Sequence, residues 1–239
     1  MVPSLRILIL APILMREAPR PPPKIPVAAD VELAVRALDR GSATIESYYD
    51  EYVGAMDIVE KALKAREEGF DAVVIDCFMN PMMEGLKELL DIPVVGAGEA
   101  ALHIAPMLGD NFSILDPDPP HRTYSHRVVA AAGLTHKLRS VRYLDLGVAG
   151  LSGGFNAVLG RMVEEAVKAV EEDGAHVIVF GCTGMRSYAE KLAQEMEAYG
   201  VPVVEPITAA VGVAETLVRL GLSHSKVSYP TPQKKKRIY

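Results

Sequence analysis

The stretch Glu67-Glu68-Gly69-Phe70-Asp71-Ala72-Val73-Val74-Ile75-Asp76-Cys77 lies without a gap over Glu172-Asp173-Gly174-Ala175-His176-Val177-Ile178-Val179-Phe180-Gly181-Cys182, at an offset of 105 residues. Glu67 and Glu172, Gly69 and Gly174, Val74 and Val179, and Cys77 and Cys182 coincide. In each copy a helical pattern gives way to a short run rich in Val and Ile, and the run ends at a cysteine. The same offset carries Ile9-Leu10-Ala11-Pro12 onto Ile114-Leu115-Asp116-Pro117. Past each cysteine comes a helix and then a second short strand, Ile92-Pro93-Val94-Val95 or Val201-Pro202-Val203-Val204. An Ala-rich helix follows in each half, over 99–108 and 208–220.

Along the whole chain, apolar runs at 5–11, 72–75, 93–95, 112–115, 177–180 and 202–204 read as strands. Helical patterns occupy 56–68, 82–90, 155–172 and 187–198, with Asn80-Pro81 as an N-cap and first-turn pair and Gly200 as a helix stop. Strands alternating with helices predict an α/β fold of parallel sheets covered on both faces. A repeat of ~100 residues means two related lobes, because solenoid periods are ~20–50 residues. The expected architecture is therefore two pseudo-symmetric lobes, each a parallel sheet flanked by helices, with the active site in the cleft between them. The expected division is 1–100 with 208–239 for one lobe and 101–207 for the other.

Composition narrows the function. The 239 residues carry 25 Lys and Arg against 31 Asp and Glu, a net charge of −6, which argues against a nucleic-acid binder held by phosphate contacts. No apolar run approaches the ~18–20 residues of a membrane helix, and no secretion signal is evident. The chain is thus expected to be soluble and cytoplasmic, with a small molecule as its substrate and neither nucleic acid nor membrane as a partner. Two cysteines are too few for a disulfide scaffold, and no two of the six histidines stand three or four residues apart, so no metal site is expected. There is no Gly-rich dinucleotide fingerprint or Walker-type motif, and no cofactor is expected. Residues 19–26 (PRPPPKIP) and 116–120 (DPDPP) read as loops, 223–239 as a solvated extension ending in a basic cluster, and Tyr48, Tyr49 and Tyr52 as core or interface residues.

A free cysteine is most often a small buried hydrophobe. Two cysteines at equivalent strand-to-helix junctions point elsewhere, because open α/β sheets bind ligands at the carboxyl ends of their strands. A following helix N-terminus favours thiolate and can lower a thiol pKa from ~8.5 towards neutrality. Two such groups on opposite sides of a carbon acid form an acid/base pair. One removes a proton, the other donates one to the opposite face, and nearby backbone amides stabilise the enolate oxygen.

Several segments carry a family resemblance: Ala43-Thr44-Ile45-Glu46-Ser47, FDAVVIDCF at 70–78, PVVGAGEAA at 93–101, GCTGM at 181–185, VPVVEPITAA at 201–210, and Ser225-Lys226, Tyr229-Pro230 and Pro232 near the end. Through them the chain resembles the aspartate/glutamate racemase superfamily, and within it the hydantoin and allantoin racemase group. The resemblance implies two lobes with the substrate between them, Cys77 and Cys182 as the catalytic acid/bases, and a homo-oligomer. Pro12, Ile13, Glu46, Phe78, Thr183 and Gly184 are the substrate-binding candidates. Three departures stand out. Ala11-Pro12-Ile13-Leu14-Met15 replaces the family's polar Asn-Pro-Asn loop, Asp116 stands where a hydroxyl residue is common, and Asp76 directly precedes Cys77, where it is expected to point away or make a structural bond. The implied activity is cofactor-independent racemisation of a 5-substituted hydantoin or related cyclic ureide. An aspartate/glutamate-type racemase, a decarboxylase of the same fold and a non-catalytic ligand-binding module remain alternatives.

Overall fold

The computed structural model describes residues 4–15, 24–119 and 123–236. The strands are β1 (Leu5–Leu14), β2 (Val31–Leu38), β3 (Ala72–Ile75), β4 (Val94–Gly96), β5 (Phe112–Asp116), β6 (Leu138–Tyr143), β7 (Ile178–Phe180) and β8 (Val203–Val204). The helices are α1 (Tyr48–Glu67), α2 (Met83–Leu89), α3 (Ala97–Leu108), α4 (Tyr124–Ala131), α5 (Gly147–Gly150), α6 (Phe155–Glu171), α7 (Ala189–Met196) and α8 (Pro206–Arg219), with a 3-10 turn, Thr183–Tyr188, leading into α7. They build two four-stranded parallel sheets, of order β2-β1-β3-β4 and β6-β5-β7-β8. The second order is the first repeated, as the internal repeat requires.

The described residues fall into two compact units. One holds those up to Ile75, Pro81–Val95 and those from Val213; the other holds Asp76–Asn80 and Gly96–Gly212. In the first unit β1 is buried over nearly its whole length and lies between β2 and β3, with α1 packed on it. Strands covered on both faces read as continuous apolar runs, and β1, β3 and β7 do so. In the second unit α6 packs on β5 and β6, and Met162, Ala166, Phe180, Met185 and Leu192 share one apolar core. Helix α3 packs on β7 and β8.

The repeated Gly69 and Gly174 have φ of 80° and 70°. Each ends its helix in the left-handed region, where a side chain is strained and glycine is not. Phe70 N then donates to the Ala65 carbonyl and Ala175 N to that of Ala169, turning the chain into the next strand. The acid before each glycine holds the sheet edge: Glu68 pairs with Arg36 on β2 and Asp173 with Arg142 on β6, both at 2.6 Å. Such surface pairs are screened by solvent and add little, so their recurrence reflects shared geometry more than stability.

Several expectations change. Strands β2 and β6 were not anticipated; they are edge strands of mixed composition (VELAVRAL and LRSVRY), and their incomplete burial leaves no continuous apolar run. Asn80 does not cap α2: the helix begins at Met83, and its N-cap position is held by Met82 in a left-handed conformation. Tyr49 and Tyr52 are 75% and 68% exposed, so they are not core residues. The C-terminal extension is exposed but fastened. Lys226 Nζ donates to the carbonyls of Lys87, Glu88 and Leu90, and Val94 N donates to His224 Nε2 at 2.8 Å. Residues 19–23 and 120 of the two expected loops lie outside the described residues, and Asp116 belongs to β5. Among the described residues no helix is long and apolar enough to cross a membrane.

Candidate active site

A sheet of order 2-1-3-4 has its topological switch point between the first and third strands, where ligands of open α/β sheets bind. In the first sheet that point is the carboxyl end of β1 and β3. Pro12 and Ile13 lie there within a register shift between Ala11 and Leu14, where a residue without an N–H costs no ladder bond. Pro12 is buried and Ile13 half-buried. Glu46, half-buried, accepts a hydrogen bond from Thr44 Oγ1 (3.3 Å) just before α1, whose N-cap is Ser47. Asp76 and Cys77 follow the end of β3.

In the second sheet the equivalent point is the end of β5 and β7. Gly181 N donates to the Leu115 carbonyl (2.7 Å), which brings Cys182 beside Asp116. Cys182 is the N-cap of the 3-10 turn, its Sγ accepting from Gly184 N at 3.4 Å. Thr183 is half-buried and donates from Oγ1 to the Asp76 carbonyl (3.4 Å). Cys77, Phe78, Cys182, Thr183 and Gly184 thus all belong to one compact unit, whereas Pro12, Ile13 and Glu46 belong to the other. Phe78 is buried, and its carbonyl lies against the backbone of Gly98.

The two cysteines are both half-buried and neither is in a disulfide, but they are held differently. A helical turn follows Cys182 at once. After Cys77 a loop intervenes until Met83, so no helix start lies next to that thiol. The expected acidification also fails at Cys182, whose thiol is pushed up to about 12. Loss of hydration is the chief cause, and the charges of Asp116, Asp76 and Asp118 add to it, outweighing the one amide at Gly184. Cys182 therefore rests as a thiol near neutral pH.

Asp116 and Asp118 belong to this surrounding and were not among the binding candidates. Asp116 is buried, accepting from Asp118 N at 3.0 Å and from the Ser125 hydroxyl. The signal was available: the 105-residue offset carries Ile13 onto Asp118. Asp76, whose expected role was confined to its own neighbour Cys77, acts electrostatically on Cys182. Among the described residues no group of His, Cys, Asp and Glu is arranged to hold a metal ion.

Two parallel sheets of one topology, each with a cysteine just beyond the third strand's carboxyl end, define a duplicated α/β protein. Residues 26–214 match the model of the Asp/Glu/Hydantoin racemase family. A hydantoin racemase of Paenarthrobacter aurescens is 41% identical over 201 residues, covering 83% of this chain and 84% of the relative. Among solved structures, an allantoin racemase from Klebsiella pneumoniae superposes with a TM-score of 0.85 at 30% identity, covering 97% of this chain and 95% of that one. The allantoin racemase from Pseudomonas fluorescens gives 0.84 at 33%, covering 98% and 100%. The chain belongs to the Asp/Glu/hydantoin racemase family, and the protein is an isomerase of the racemase type.

Proposed function

We propose that Cys77 and Cys182 together invert the C5 stereocentre of a 5-substituted hydantoin or related cyclic ureide, without a cofactor, by two-base proton transfer. The observation that carries this reading is the hydrogen bond from Thr183 to the Asp76 carbonyl, which ties the residue after one cysteine to the residue before the other. In one turnover the Cys77 thiolate takes the C5 proton, and the C–H electron pair moves into the adjacent carbonyl as an enolate. The Cys182 thiol then donates its proton to the opposite face of C5, and solvent exchange resets the two groups. The carbonyl beside C5 acidifies its hydrogen, so a thiolate is a sufficient base. Resting protonation of Cys182 suits it to the donor role in this direction.

The substrate class is supported by the hydantoin and allantoin racemases to which the chain is similar. Apolar Ile13 and Leu14 at the end of β1 suit an uncharged ring better than a free amino acid. The same proposal includes a homo-oligomer, for which the exposed Tyr49 and Tyr52 of α1 offer contact area.

The test is a panel of single enantiomers, comprising 5-substituted hydantoins, allantoin, aspartate and glutamate, incubated in deuterated water and followed by polarimetry and mass. Racemisation with deuterium gain confined to the cyclic ureides is expected. Racemisation confined to the amino acids overturns the substrate class, and binding without loss of the C–H bond overturns the reaction.

A further inference from the structure

Cys182 is held by the turn it caps, but nothing comparable follows Cys77, so its five-residue exit to α2 must be held in another way. Asn80 N donates to the Cys77 carbonyl at 3.1 Å, closing a tight turn. Asn80 has φ of 54°, a conformation that Asn tolerates better than most residues. From there its Oδ1 accepts from Glu99 N (3.1 Å) in the first turn of α3. The N-cap of α3 is Gly96, which has no side chain to do this. The backbone of that turn leaves room for the loop. A Cβ on Gly96 would lie 2.2 Å from Asn80 Oδ1, and one on Gly98 would lie 2.0 Å from the Phe78 carbonyl oxygen. Beyond Pro81, Met82 adopts φ of 60°, and its N–H is held by the Glu51 carboxylate. The two non-glycine residues flanking Pro81 are thus kept in left-handed backbone, a costly arrangement that persists only where the surroundings enforce it.

We infer that Asn80 is the positioning residue for Cys77: its side chain, docked on the start of α3, fixes the loop that aims this thiol. The inference rests on the two-thiol reading only in assigning Cys77 its own face of the substrate. Asn80 acts through the backbone of the turn, and two substitutions separate its parts. Asn80→Gly keeps the left-handed backbone accessible but removes Oδ1, whereas Asn80→Asp keeps an acceptor for Glu99 N.

The experiment uses the full chain in two backgrounds. With Cys182→Ser, Cys77 is the sole thiol, and its alkylation rate by iodoacetamide is followed against pH with no substrate present. Asn80→Gly is expected to displace that profile and Asn80→Asp to restore its form. In parallel, C5 hydrogen exchange of each hydantoin enantiomer is measured in deuterated water. Adding Asn80→Gly to Cys182→Ser should slow exchange of the Cys77-facing enantiomer by about 10–10²-fold, the scale of a misplaced catalytic group. Adding it to Cys77→Ser should leave exchange of the other enantiomer within about twofold, well below that scale. Coincident alkylation profiles, or equal losses in both backgrounds, overturn the role of Asn80. Undiminished racemisation by Cys77→Ser or Cys182→Ser overturns the two-thiol reading instead, while the alkylation profiles still decide the positioning role.

Discussion

The Thr183 hydroxyl donates to the Asp76 carbonyl at 3.4 Å, within the compact unit that holds both cysteines. Threonine at 183 and aspartate at 76 are not equivalent in the repeat, where Thr183 falls on Phe78 and Asp76 on Gly181. The duplication supplies two similar strand ends, and the bond between Thr183 and Asp76 does not follow its symmetry. That asymmetry extends to the thiols, one capping a turn and one carried on a clamped loop.

If the thiols serve opposite faces, Cys77→Ser and Cys182→Ser should each reduce racemisation by about 10²–10⁴-fold, the range for loss of a general acid or base. Each variant should still exchange the C5 hydrogen of one enantiomer with solvent, and the favoured enantiomer should differ between them. Chiral chromatography with mass detection of deuterium checks this. Exchange of the same enantiomer by both variants would put both thiols on one face.

The raised pKa of Cys182 makes stability depend on alkaline pH. Below about 9, the ordinary value of the group, folded and unfolded chains both keep the thiol proton and the native advantage is whole. Between about 9 and about 12 the unfolded chain ionises and the folded chain resists, so stability drains as pH rises. Denaturant midpoints of the native chain should fall across this window more steeply than those of Cys182→Ala. Parallel curves would mean that Cys182 ionises as readily folded as unfolded.

Gly98→Ala should be costly for a helix substitution that ordinarily helps. Its methyl would meet the Phe78 carbonyl oxygen at 2.0 Å, a backbone atom with little freedom to give way. Overpacking of this kind costs about 1–3 kcal/mol, and relief displaces the segment next to Cys77. Thermal denaturation should show the loss, and kcat should fall more than KM rises. A variant with native stability and kcat would show that the Phe78 segment moves freely.

The C-terminal extension should divide into two parts. Truncation after Pro232 is expected to leave the melting temperature unchanged, since Gln233, Lys234, Lys235 and Lys236 are polar and exposed. Lys226→Ala removes the ammonium that three carbonyls at the end of α2 share, and should cost about 1.5–3 kcal/mol, the range of hydrogen bonds to charged groups. Calorimetry of both variants checks the two outcomes.

The features legible in the chain alone were local or repeated. The Val- and Ile-rich runs before Cys77 and Cys182 mark buried parallel strands because both faces are covered, and Gly69 and Gly174 mark helix ends because only glycine takes that backbone without strain. The duplication followed from the alignment of these marks, and with it the two parallel sheets and their cysteines. Other features came only with tertiary packing. The edge strands β2 and β6 form by pairing with neighbours distant in sequence, and their half-solvated faces leave no apolar run to read. Asn80 has the composition of a helix cap for the segment after it, yet it caps α3, because its left-handed turn carries Oδ1 to Glu99 N. The proton on Cys182 was the least legible feature. A strand end before a helical turn predicts an acidic thiol, but hydration is lost through packing, and the charges of Asp76 and Asp116 arrive from remote strand ends. Local backbone preference is written residue by residue, whereas dehydration and electrostatic surroundings exist only once the chain has closed around the group.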